Sequence, residues 1–271
     1  MKPYLKKAIL WLFAALLVFV LADTGRYFFF PDVSSLKKNR PGKTAFMKHR
    51  EKVWQSKGIK KKIAVSWVPL SQISPYVMKA VIIAEDDKFW SHEGFDFEAM
   101  QKAMEKNLDQ KKFKMGGSTI SQQLAKNLYL SPAKNPVRKV KEAILTWRIE
   151  RHLSKRRIME LYLNVAEWGD GLFGIGPAAR RYYRKSPAGL NAHEAAALAA
   201  ALPDPRRFHP ASGSHYASRR AARIYRIMER RGMVIEEYDE VVTQEEERPK
   251  EEKTFMRDAD EIPLPEDLKL P

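Results

Sequence analysis

The chain has no cysteine among its 271 residues. That excludes disulfides, thiolate nucleophiles and cysteine-based zinc sites, and it leaves the compartment open, because exported proteins need no disulfides. His49, His92, His152, His193, His209 and His215 show no HxxxH spacing, which argues against a histidine zinc site. Strand signals are almost absent: one short run, Ile63 to Val68, reads as a strand, and no internal repeat is visible. Gly169, Gly171 and Gly174 match GxGxxG formally. A helical stretch precedes them, with no βαβ pattern around them, so they read as a glycine-rich loop and not a dinucleotide site.

Acidic residues are also scarce over most of the chain. The formal net charge is +16, yet Glu236 to Pro271 holds 14 acidic and 5 basic residues, a net of −9, which leaves +25 on residues 1–235. A body this basic favours a polyanion: nucleic acid, anionic lipid or a phosphate-bearing substrate. Ala8 to Ala22 has no charged residue and follows Lys2, Lys6 and Lys7. Fifteen residues rise about 22 Å as a helix, short of the roughly 30 Å hydrocarbon core. Tyr4 and Leu5 before the run and Tyr27 to Phe30 after it extend the span. The basic leading end should stay cytoplasmic, placing everything after Phe30 outside. The competing reading is a signal peptide cleaved after Val20-Leu21-Ala22. Either way the body is exported, which counts against nucleic acid as partner.

The expected organisation is a cytoplasmic segment 1–7, an anchor 8–30, a basic juxtamembrane segment 31–62, a catalytic domain 63–233 and an acidic, disordered tail 234–271. Hydrophobic residues make up 44% of the chain, enough for a core, and the pattern is mostly α. Ser74 as N-cap and Pro75 at N1 open a helix to Glu85. Further helices are expected over 118–130, 136–152, 154–165, 191–201 and 215–231. Phe97, Met100, Met104 and Leu108 recur at helical spacing and read as core.

Three constellations carry chemistry. In the first, Glu85, Asp86 and Asp87 follow the apolar run Val77 to Ala84, with Phe89, Trp90 and His92 just beyond. Burial at such a helix end disfavours the ionised carboxylate and raises its pKa toward the range useful for acid–base work, which makes Glu85 the first catalytic candidate. In the second, Gly116-Gly117-Ser118 leads into a helix on which Thr119, Gln122, Gln123 and Lys126 share one polar face suited to sugars and phosphates, or simply one face of an amphipathic helix. In the third, Arg138 and Lys139 lie one turn from Glu142, either in a site or in a surface ion pair, while Val137, Val140, Ile144 and Trp147 are expected to face the core. Glu160 and Asn164 are weaker candidates, and Tyr162 reads as packing.

Together these residues resemble the peptidoglycan glycosyltransferase family, family 51. Glu85-Asp86-x-x-Phe89-x-x-His92-x-Gly94, Gly117-Ser-Thr-Ile-x-Gln122-Gln-x-x-Lys126-Asn127, Arg138-Lys-x-x-Glu142 and Ile158-Met-Glu160-x-Tyr162-Leu-Asn164 look like its first four motifs, in order. No complete set of SxxK, SDN and KTG is evident, so the resemblance is to the monofunctional biosynthetic form. It implies a lysozyme-like helical lobe with a smaller membrane-apposed jaw lobe. Lipid II and a lipid-linked glycan strand are the implied substrates, with membrane lipids and other cell-wall synthesis or division proteins as partners. The Trp67-Val-Pro-Leu lead-in resembles Gram-negative members, which implies the inner membrane with the catalytic part periplasmic. By the same resemblance Glu85 is the base and Glu142 the second glutamate. Asp86, Phe89, His92, Ser118, Thr119, Gln122, Gln123, Lys126, Lys134 and Arg138 are the implied substrate-binding residues. No cofactor is obligatory; Mg²⁺ or Mn²⁺ could assist through Asp86 and Asp87. The alternatives are a membrane-anchored glycan-cleaving enzyme and a non-catalytic wall-assembly scaffold.

Overall fold

The computed structural model describes residues 3–109, 116–133 and 135–234; the expectations for Lys134 and for the acidic tail beyond Val234 lie outside them. The described chain is mostly helical. Its helices are α1 (Pro3–Gly25), α2 (Ala45–Ser56), α3 (Pro75–Glu85), α4 (Phe97–Asp109), α5 (Ile120–Tyr129), α6 (Pro136–His152), α7 (Lys155–Val165), α8 (Ile175–Tyr183), α9 (Ala192–Ala201) and α10 (His215–Arg230). Three short strands, β1 (Ala64–Val65), β2 (Glu167–Gly169) and β3 (Leu172–Phe173), pair in the order β1-β3-β2, with β1 parallel and β2 antiparallel to β3.

Local chemistry sets the helix starts. The Ser74 hydroxyl accepts the Tyr76 N–H at 3.3 Å, with Pro75 supplying the helical φ at N1. At α5 the Thr119 hydroxyl accepts the Gln122 N–H at 3.2 Å and the Gln122 side chain accepts the Thr119 N–H at 3.0 Å, a reciprocal capping box. The Asn135 and Ser154 side chains accept the Arg138 and Arg157 N–H groups at the starts of α6 and α7, without a reciprocal bond. These caps satisfy N–H groups that have no intrahelical partner.

The core forms where α3, α9 and α10 pack on one another and α5 lies between α6 and α7. Tyr76, Phe89, Tyr162 and Trp168 are its largest fully buried side chains. Burying each such ring gains several kcal/mol, at about 25 cal/mol per Å² of apolar surface. The alanine-rich face of α9 lets α3 and α10 approach it closely.

The structure changes three sequence expectations. The basic segment 31–62 folds onto the body. Val33 and Leu36 join the core, and α2 buries Met47 and Trp54. Arg50 grips Glu167 with a two-pronged ion pair, Nε to Oε1 at 2.9 Å and Nη2 to Oε2 at 2.7 Å. Trp54 lies so close over Gly171 (φ +76) that a Cβ there would stand 2.1 Å from the indole. Glycine at 171 thus lets Trp54 of α2 seat against this loop.

The second correction concerns α4. Phe97 is 73% exposed and Met104 61%, so these two stand outside the core, while the Leu108 side chain lies outside the described residues. The third concerns α6, where Val140 and Trp147 are exposed. Its buried face is Glu142, Leu145, Thr146, Arg148 and Ile149. The apolar-stripe rule fails there because the buried face carries the charged residues.

α1 is long and apolar enough to cross a membrane, and none of its apolar window is buried by the body. It is tied to α6 at its exit: Lys141 pairs with Asp23, and Arg148 donates to the carbonyls of Tyr27 and Phe29, both at 3.0 Å.

Candidate active site

α3 ends at Glu85, and α5, α7 and α10 converge on that end. Gln123 Nε2 donates to Glu85 Oε2 at 2.8 Å. The Tyr162 hydroxyl donates to Gln123 Oε1 at 3.0 Å, which fixes the amide with its N–H groups toward Glu85. Tyr162 is therefore more than packing, although its ring is fully buried. Arg220 Nη2 donates to Glu85 Oε1 at 3.1 Å. Burial pushes the Glu85 carboxyl above the usual carboxylate range, with Gln123, Arg220 and Lys126 opposing it.

The loop after Glu85 is built for rigidity. Gly94 N–H donates to His92 Nδ1 at 3.0 Å, so the proton sits on Nε2 and is donated to Asp86 Oδ1 at 2.8 Å. Asp86 Oδ2 accepts the Ile120 N–H at 2.9 Å, at the exposed amide end of α5, and the Thr119 hydroxyl donates to Gly94 O at 2.7 Å. Burial raises the Asp86 pKa as well. Phe89 is 0% exposed. Phe89 and Gln122, expected to touch substrate, are turned inward, and the hydrogen bonds of Asp86, His92, Thr119 and Gln122 lock the loop to the start of α5. Gly117 passes α4 so closely that a Cβ would lie 2.9 Å from Met100 Cα, which explains the glycine before Ser118.

Of the expected residues, Asp86, Ser118 and Thr119 line a cavity beside Glu85, and two more open onto a second cleft. Gln123 and Lys126 line a cleft of about 500 Å³ with Phe46, His49, Asn127 and Arg206. The Lys126 ammonium lies 5.6 Å from the Phe46 ring centre, and no described carboxylate pairs with it. Burial holds its pKa below the usual lysine range. Glu142 is only 2% exposed and takes Arg138 on one oxygen and Lys139 on the other. Lys139 also donates to the Ser118 hydroxyl at 3.2 Å. Arg138 Nε is buried without a partner, an unmet donor beside the basic cluster. Lys134 lies outside the described residues.

Glu160 and Asn164 are structural. Asn164 accepts the Val68 N–H at 2.7 Å and donates to Val68 O at 2.8 Å, and Glu160 accepts the Leu70 N–H at 3.2 Å. They pin the Trp67–Leu70 stretch to α7. Both Asp86 oxygens accept hydrogen bonds inside the protein, Arg231 takes both Asp87 oxygens, and among the described residues no group of three or more His, Asp or Glu converges.

Arg220 was missed in the sequence. The signal was present: it lies three residues from Ala217 and four from Ile224, both on the buried stripe of α10. A cation on an apolar stripe requires a partner. Which carboxylate it meets depends on a helix 135 residues away.

Residues 51–229 match the sequence pattern of the Transglycosylase family. The chain is similar to a biosynthetic peptidoglycan transglycosylase of Methylobacillus flagellatus, 46% identical over 216 residues, covering 80% of this chain and 93% of that protein. It is also similar to the protein of that name from a Janthinobacterium species, 42% identical with 83% and 96% covered. A third, from Dechloromonas aromatica, is 52% identical with 62% and 73% covered.

Proposed function

Because the chain belongs to the transglycosylase family, and is an enzyme of that family, we propose that it polymerises peptidoglycan glycan strands from lipid II. Glu85 takes the proton of the acceptor GlcNAc 4-hydroxyl. The oxygen's electron pair forms the new bond to C1 of the donor MurNAc, and the C1–O bond to phosphate breaks with its pair going to the departing undecaprenyl diphosphate. Attack from the opposite face inverts the centre, converting the α-phosphate link to β-1,4. Glu85 then returns its proton to solvent.

The observation that carries this reading is the pairing of a raised-pKa carboxylate with cations left available for an anion. A base needs affinity for a proton, and burial raises that of Glu85 above the usual carboxylate range. A diphosphate leaving group needs charge neutralisation and no proton. The unpaired Lys126 ammonium and the unmet Nε of Arg138 suit that need. A glycosidase would instead place a second carboxyl to protonate the departing oxygen. Glu142, bound to Arg138 and Lys139, holds the cationic wall in place.

α1 serves as a single-pass anchor in the inner membrane with the body on the periplasmic side, in keeping with Lys2, Lys6 and Lys7 at its leading end. The lipid-linked substrates then reach the cleft from the same bilayer. Polymerisation of lipid II into glycan strands by the full chain, followed by gel separation of products, tests the reading. Wild type should form polymer, and Glu85→Gln should lose at least about 10²-fold in rate, as expected for a general base. Near wild-type turnover by Glu85→Gln, or degradation of finished sacculi without use of lipid II, overturns it.

A further inference from the structure

A carboxylate at a buried helix end serves as a base only if something keeps it charged and aimed. Lys126 lies against the Phe46 ring and forms no ion pair with Glu85 among the described residues. Tyr162 is pushed well above the usual phenol range by burial and contributes no charge. Gln123 is neutral. Asp86 adds a negative charge alongside, and the Asp96, Glu98 and Lys102 side chains line the cavity in front of Glu85. Glu98 there is occupied by Lys88 and Lys102, and Asp87 by Arg231. That leaves Arg220, whose guanidinium does not lose its proton in a protein.

The Arg220 contacts are of two kinds. Nη2 donates to Glu85 Oε1 at 3.1 Å and to the Ala84 carbonyl at 2.9 Å. Carbonyls in the last turn of a helix have no intrahelical partner, so this nitrogen both caps α3 and holds the side chain that follows. With Gln123 on Oε2, each carboxylate oxygen has one fixed donor and one lone pair left for an incoming hydroxyl. A cavity of about 410 Å³ lined by Ile83, Ala84, Arg219, Arg220 and Arg223 opens on this side, so the guanidinium also meets solvent.

We propose that Arg220 is a positioning residue for the reaction, holding Glu85 ionised and aimed between α3 and α10. The inference rests on the reading of Glu85 as the base.

The test is the pH dependence of kcat/KM for lipid II polymerisation by the full-length protein and its Arg220→Met, Arg220→Gln and Arg220→Lys variants. Arg220→Met should move the acid limb upward by about one pH unit or more, as for losing an adjacent opposite charge. At the foot of the limb kcat/KM should fall about tenfold or more, carried by kcat with KM little changed, and recover at alkaline pH. Arg220→Gln can still donate to the Ala84 carbonyl but carries no charge, and should show the same displaced limb; it decides the matter if the Met variant does not fold. Arg220→Lys should restore most of the limb. A uniform loss at every pH with an unmoved limb, or wild-type activity throughout, overturns the assignment. Glu85→Gln separates the two readings. If it polymerises normally, the base assignment fails. If it is inactive while the Arg220→Met and Arg220→Gln limbs stay put, only Arg220 fails.

Discussion

Glu85 stands at the meeting of two opposed effects. Burial raises its pKa, while Gln123, Arg220 and Lys126 lower it, and burial wins. The folded protein therefore binds this proton more tightly than the unfolded chain. Stability from this group is present below the unfolded pKa and is lost as pH rises through the folded value. Glu85→Gln removes the buried charge while keeping the shape. At pH 7 its melting temperature should exceed that of wild type, each kcal/mol gained appearing as about 2–4 °C. The difference should vanish near pH 4, as scanning calorimetry at the two pH values would show. An active-site group that destabilises its own fold in this way is the sign expected of a base kept for chemistry.

At the scale of elements, the site is an assembly of ends: the C-terminus of α3, the N-terminus of α5, the first turn of α6 and one buried position of α10. The Asp86–Ile120 and Thr119–Gly94 hydrogen bonds fix the first two to each other. α2 closes the cleft from another direction with Phe46 and His49, and is held by the Arg50–Glu167 fork. Both partners of that fork are mostly buried, with side chains only 11% and 10% exposed. Arg50→Ala should leave an unpaired buried carboxylate and lower the unfolding free energy by about 3 kcal/mol, read from the urea midpoint. Activity should fall with it, because Phe46 stacks on Lys126. An unchanged midpoint would mean that the buried Met47 and Trp54 hold α2 without the fork.

At the scale of the molecule, α1 is coupled to the helix that carries Glu142. Lys141 and Arg148, on α6, hold the membrane-exit turn. Phe28, Phe29 and Phe30 stay exposed there, with Phe28 edge-on to Trp147. Aromatics of this kind favour the bilayer interface, and the basic body adds attraction to anionic headgroups worth roughly 1 kcal/mol per nearby Lys or Arg. In a vesicle flotation assay with anionic lipid, the full chain should stay bound in 1 M salt. A chain lacking residues 1–26 should bind at low salt and be released at about 1 M, where screening acts over only about 3 Å. Its melting temperature should stay within a few degrees of the full chain's, since α1 buries none of its apolar window in the body.

Much of this was legible in the amino-acid sequence, because it rests on local rules. Caps such as Ser74, Thr119, Asn135 and Ser154 act within a few residues, so helix starts could be read directly, and the apolar run Ala8 to Ala22 identified itself by length and composition. The order of the motifs sufficed to indicate the family, and Glu85 stood out because an acid at the end of an apolar helix needs a reason. Tertiary structure alone decided which motif residues reach the cleft. Polarity does not distinguish a side chain that meets a substrate from one that meets a backbone amide, and Asp86, His92 and Thr119, which looked like ligand groups, also tie the loop to α5 from within. It also decided that the basic segment 31–62 folds onto the body, that Phe97 and Met104 of α4 stand outside the core, and that Arg220 pairs with a carboxylate 135 residues away. Each of these depends on contacts between distant segments, whose partners are set by packing geometry that neither periodicity nor charge pattern encodes.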